Sequence, residues 1–88
     1  MYPINQFQLD LKRVDDNEAV AHYHNLLGTK NADEGRLIEA LNDFSQAIRY
    51  SPGNHIAYFN RGTIKADLGD YEGAKVDFAA ASKIMQRI

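Results

Sequence analysis

The sequence predicts an all-α fold built from two copies of one helix-turn-helix unit, and three observations carry that prediction. Sliding the 88-residue chain against itself by 34 residues aligns Gly28 with Gly62, Thr29 with Thr63, Ala32 with Ala66, Asp33 with Asp67 and Gly35 with Gly69. The same offset aligns Ala40 with Ala74, Asp43 with Asp77, Phe44 with Phe78 and Ala47 with Ala81, nine identities between units 21–54 and 55–88 where chance supplies about two. Apolar residues recur at helical spacing in both units, as Leu37, Ala40, Leu41, Phe44, Ala47 and Ile48 and as Tyr71, Ala74, Phe78 and Ala81. Each unit is also broken once near its middle, at Gly35 and Gly69, by the residue that most readily takes the left-handed conformation ending a helix.

The elements follow in chain order. The first helix is expected over 17–33, opened by Asp15 and Glu18 as a capping box. The second is expected over 36–50, and Ser51-Pro52-Gly53-Asn54 is a strong turn signal between the units. The third and fourth are expected over 55–68 and 71–86, with Asp70 as the N-cap of the last. Phe44, Phe78, Ala40, Ala47, Ala74, Ala81, Leu27 and Leu41 are the expected core. Residues 1–16 precede this repeat domain of 17–88. Ile4, Phe7, Leu11 and Val14 form a helical stripe there, whereas Phe7, Leu9 and Leu11 alternate as in a strand. In either conformation those side chains need burial, so the segment is expected to cap the flank of the first unit.

Composition bounds the function. Ten Lys and Arg are interspersed with twelve Asp and Glu for a net charge of -2, which leaves no basic footprint for nucleic acid. Cysteine is absent, which excludes disulfides and thiolate chemistry and fits a reducing, cytoplasmic setting. No apolar run approaches the length of a bilayer span, and the first residues lack the basic start and apolar core of a signal peptide. The expectation is therefore a cytoplasmic protein that engages neither membrane nor nucleic acid.

The 34-residue unit resembles the tetratricopeptide repeat, whose pattern is W-x2-L-G-x2-Y, then A-x3-F, then P. The first unit offers His24, Leu27, Gly28, Asn31, Ala40, Phe44 and Pro52; the second offers Tyr58, Arg61, Gly62, Lys65, Ala74 and Phe78, with Gln86 in place of the proline. The small residues of the pattern are kept, while His24, Asn31, Arg61 and Lys65 replace apolar ones. The resemblance spans residues 21–86 and implies stacked helical hairpins whose first helices line a concave groove that binds other polypeptides.

Helix geometry then selects candidate residues for that groove. At about 100° per residue, His24, Leu27, Gly28 and Asn31 share the packing side of the first helix. The opposite side carries His22, Asn25, Thr29 and Asp33 in the first unit and Ile56, Phe59, Thr63 and Asp67 in the second, with Asn60 at its edge. Asn25, Thr29, Phe59, Asn60 and Thr63 are the candidate partner-binding residues, Phe59 as an apolar anchor and the polar ones as hydrogen-bonding groups. The family's carboxylate-holding cluster is mostly missing: Asn60 matches its asparagine, but Asn25 and Thr29 stand where Lys and Asn belong.

Catalysis finds little support. His22 and His24 are two residues apart and so point about 200° from each other on a helix, unlike the i, i+4 pair that shares a metal. No nucleophile with a neighbouring base and no glycine-rich phosphate loop stands out. The expectation is a non-enzyme without cofactor or metal. Arg61 is expected to pair with Asp43 or Asp77, the acids that recur on the second helices. Two functions remain open: recognition of a segment of another protein or peptide, and self-association. Two repeats are fewer than such stacks usually need for stability, and Val76, Ala80, Ile84, Met85 and Ile88 would leave the flank of the last helix apolar. A two-fold homodimer through Ile84 and Ile88 would cover it.

Overall fold

A computed structural model describes the backbone of residues 6–87 and the side chains of residues 16–87. Within them the chain forms four helices, α1 (Gln6–Asp33), α2 (Leu37–Tyr50), α3 (His55–Asp67) and α4 (Tyr71–Met85). The packing is sequential: α1 lies on α2, α2 on α3 and α3 on α4, with a smaller contact between α1 and α3. Helices α1 and α2 form one hairpin and α3 and α4 a second.

Gly35 and Gly69 end α1 and α3 as the sequence suggests, with φ of 79° and 90°. The two ends have the same hydrogen bonds. Arg36 N–H donates to the Asn31 carbonyl and Gly35 N–H to that of Ala32, at 2.7 and 3.0 Å; Asp70 N–H donates to Lys65 and Gly69 N–H to Ala66, at 2.8 and 3.0 Å. These paired bonds satisfy carbonyls that a helix terminus otherwise leaves open. At the N-termini, Asp70 caps α4 by accepting from Gly73 N–H, and Asn54 caps α3 by accepting from Ala57 N–H. Asn54 thus both closes the Ser51–Asn54 turn and caps the helix that follows it.

The start of α1 differs from expectation. The helix does not open at residue 17 but runs unbroken from Gln6, so Asp15 and Glu18 sit inside it and frame no first turn. Glu18 instead accepts a 2.8 Å hydrogen bond from the Ser51 hydroxyl, fastening α1 to the turn that joins the hairpins. The expected burial of Ile4, Phe7, Leu11 and Val14 lies outside the described side chains.

Two apolar clusters hold the helices together. Ala21, Ala47 and Ala57 meet where α1, α2 and α3 converge, with Ile48 packed beside them. Three alanines there allow a backbone approach that larger side chains would block. Ala40, Phe44 and Ile64 form the second cluster, flanked by Ala32, Leu37 and Leu41. The Phe44 ring lies over Gly28 and the Phe78 ring over Gly62, so that a Cβ at either glycine would stand 2.6 or 2.8 Å from a ring carbon. Of the expected core, Phe44, Ala40, Ala47, Ala74 and Ala81 are buried, while Leu27 and Leu41 are half-buried. Phe78 is 37% exposed and Tyr71 67% exposed, because no described element lies over α4 as α3 lies over α2.

Candidate functional site

Helices α1 and α3 place four of the five candidate binding residues at or near the surface. Thr29, Phe59 and Thr63 are exposed and Asn60 is half-buried. Asn25 is the correction: it is only 8% exposed and faces the interior. Its position on the helix is the one occupied by Phe59 a repeat later, but in the first hairpin the neighbouring α3 covers that surface. The two threonines behave alike. Thr29 Oγ1 donates to the Asn25 carbonyl at 3.0 Å and Thr63 Oγ1 to the Phe59 carbonyl at 3.1 Å. Each hydroxyl proton is thus committed to its own helix, so toward a ligand these residues offer an acceptor.

Phe59 has a neighbour that the sequence did not reveal. Its ring lies 5.4 Å, centroid to centroid, from that of Phe78 on α4, at a tilt of 46°. Together with Ala81, Ser82, Met85 and Gln86 the two rings line an open, mainly apolar groove of about 380 Å3 between α3 and α4. Phe59 and Met85 are each 56% exposed. Aromatic and Met side chains gathered at such a surface depression are the kind of feature around which contacts concentrate.

Between α3 and α4 the polar positions that break the apolar pattern are paired. Asp77 is 1% exposed and accepts two hydrogen bonds from Arg61, from Nε and Nη2, each at 2.8 Å. Lys65 Nζ adds a contact at 3.1 Å. Arg61 also reaches α2, donating from Nη1 to Ser45 Oγ at 3.3 Å, and lies over the Tyr58 ring. One arginine therefore ties three helices together. Of the two acids named as its partner, Asp77 takes the role, while Asp43 accepts a 2.7 Å bond from Asn31. Burial raises the Asp77 carboxyl, but the hydrogen bonds from Arg61 and Lys65 and their charges outweigh it, so its pKa falls below the ordinary carboxylate value. The hydrogen bond to Asp77 in turn raises Arg61. The site does structural work: every strong acceptor in it is already taken.

The histidines form no common site. His22 is exposed and His55 half-buried, whereas His24 is stacked on Tyr50 at 5.9 Å with the rings 11° from parallel. His24 thus fills an aromatic packing position as expected. Among the described residues no group of three or more His, Asp or Glu is placed to hold a metal ion, and no helix is long and apolar enough to cross a membrane. Of the residues expected at a homodimer contact, Ile84 is half-buried and Ile88 lies outside the described residues; Val76 is 67% exposed. No family model matches the chain, and no solved structure matches it.

Proposed function

We propose that the chain is a two-repeat tetratricopeptide-type module that recognises a segment of another protein, and that it has no catalytic role. The fold reading is supported by contacts that recur at the 34-residue offset: an aromatic ring over a glycine, an identical glycine-ended helix and a threonine bonded back to its own helix occur in each hairpin. The single observation that carries the functional reading is Phe59, a large apolar side chain 56% exposed beside an open groove. Around it, Asn60 supplies an amide and Thr29 and Thr63 supply hydroxyl acceptors. Phe59 is the anchor of this surface.

The test compares proteins retained from a lysate by the wild-type chain and by a Phe59→Ala, Asn60→Ala variant whose helicity is unchanged. A partner retained by the first and lost by the second supports the reading, with a loss of over about 1 kcal/mol from Phe59 alone if it is a hot spot. Equal retention of every partner moves the interface off this face.

A further inference from the structure

The groove beside Phe59 is one half of an interface that the chain already builds internally. Inside the molecule, α3 seats on the first hairpin through two residues one α-helical stripe apart: Ala57 packs on Ala21 and Ala47, and Ile64 packs on Ala40 and Phe44. Adding 34 to the receiving surface gives the open groove. Phe44 becomes Phe78, Ala47 becomes Ala81 and Ala40 becomes Ala74, while Asn25 becomes Phe59 and Ser51 becomes Met85. The copy keeps the ring and the alanine floor and gains Phe59 and Met85, while Ala21 becomes His55, Ile48 becomes Ser82 and Leu41 becomes Lys75, so its rim is apolar on one side and polar on the other. Subtracting 34 from the inserting stripe gives a face of α1: Ala57 becomes Tyr23, Asn60 becomes Leu26 and Ile64 becomes Lys30. Tyr23 and Leu26 are each 57% exposed, large apolar side chains on an outer face of α1, with Tyr23 edge-on to the adjoining His24 ring at 5.6 Å.

We propose that the chain associates head to tail with a second copy of itself, Tyr23 and Leu26 of one molecule entering the Phe59–Phe78–Met85 groove of the next. Size favours this occupant. The groove leaves about 380 Å3 open where the internal interface inserts only an alanine, and Tyr23 is the residue the repeat places there. The contact is heterologous, because the donating and receiving faces are different surfaces, so it propagates rather than closing as a two-fold dimer. One position sets its strength. Lys30 stands where Ile64 does internally and approaches Lys75, the repeat copy of Leu41; Lys75 is itself held by Glu72 at 3.6 Å. The like charges make the contact weaker than the internal one, and salt that screens them strengthens it.

Sedimentation equilibrium tests this with two paired variants on exposed positions, Tyr23→Glu with Leu26→Glu to remove the inserting face, and Ser82→Glu with Met85→Glu to remove the groove. The wild-type mass should rise with concentration above the 9.9 kDa monomer without levelling off at a dimer, and rise further in added salt. Each variant alone should stay monomeric. An equimolar mixture, in which one chain keeps its groove and the other its inserting face, should form a dimer and nothing larger. Circular dichroism verifies that both remain helical; if one unfolds, glutamine at the same positions replaces glutamate. A wild-type chain monomeric at every concentration overturns the proposal. So does either variant that still dimerises alone, or a mixture that stays monomeric, since a two-fold contact through α4 would give the first result. None of these readouts depends on whether Phe59 also binds another protein.

Discussion

The two hairpins share nine residues at matching places and do not bury matching positions equally. Phe44 and Phe78 occupy matching positions, each with its ring over a glycine, yet Phe44 is 2% exposed and Phe78 37%. Leu37 is packed against the Phe44 cluster, while its counterpart Tyr71 is 67% exposed. Asn25 is buried and its counterpart Phe59 is not. In all three pairs the difference lies in the neighbour: α3 covers the first hairpin, and no described element covers the second in the same way. A residue's place in the repeat sets what it faces, whereas its burial depends on what the next element supplies.

The largest consequence is for the paired phenylalanines. Phe44→Ala should cost about 3–5 kcal/mol, as truncation of a buried aromatic does, enough to unfold a domain of this size. Phe78→Ala should cost about 1–2 kcal/mol, because part of that ring is already in water. Chemical denaturation of both variants checks the contrast. Equal losses would mean that Phe78 is covered in solution, which head-to-tail association itself would produce at high protein concentration; dilution removes that contribution.

Much of the fold was legible because it rests on local chemistry. The glycine breaks at 35 and 69, the cap at Asp70 and the apolar stripe through Ala40, Phe44 and Ala47 each depend on a few adjacent residues or on one helical face. The boundaries that were missed depend on longer-range contacts. Asp15 and Glu18 have the spacing of a cap, but α1 passes through them and Glu18 is bound to Ser51, 33 residues away. The candidate site was less legible than the fold for a related reason. Helical spacing assigns Asn25 and Phe59 to one face, but it cannot register that a third helix crosses one of them, nor that Phe78 comes across from α4 to meet Phe59. Arg61 was legible in part: its need for an acid partner follows from its place among packing residues, and the choice between Asp43 and Asp77 followed only from the geometry.

That choice sharpens the comparison a second time, since the two acids hold matching positions with different partners. Asp77→Ala strands Arg61 and Lys65, whose side chains are 22% and 23% exposed, and should cost about 3 kcal/mol, the lower end for breaking a buried pair because both cations retain access to water. Asp43→Ala breaks, among the described residues, the bond to Asn31 and should cost about 1 kcal/mol. Acidity separates them as well. A carboxyl whose pKa is lowered on folding contributes stability above its unfolded value, and that contribution is lost as pH falls through the folded value. For Asp77 the loss begins near its ordinary 3.8 and continues below it. Thermal melts between neutral pH and pH 2 should therefore show a decline below about pH 4 that is shallower in Asp77→Asn. An unchanged acid limb in that variant would remove Asp77 as its source.

The smallest expected difference concerns the glycines beneath the two rings. An alanine at either position gains about 1 kcal/mol of helix propensity over glycine, and must then find room for its methyl. At Gly28 the new carbon would stand 2.6 Å from a ring that is fully enclosed, so Phe44 has nowhere to go and overpacking of about 1–3 kcal/mol outweighs the gain. At Gly62 the obstacle at 2.8 Å is the Phe78 ring, which borders the open groove and can turn outward, and the remaining contact, with Asp77 Cβ, is 3.2 Å. Strain and propensity there nearly cancel. Gly28→Ala should lower the stability measurably and Gly62→Ala should leave it within about 0.5 kcal/mol of wild type, the ordinary scatter of a surface substitution. The outward turn also rearranges the groove, so Gly62→Ala should weaken head-to-tail association while sparing the fold, a separation that Gly28→Ala cannot show. A Gly62→Ala chain as destabilised as Gly28→Ala would mean that the second ring is held as firmly as the first, and the contrast between the hairpins would then lie in exposure alone, not in freedom to move.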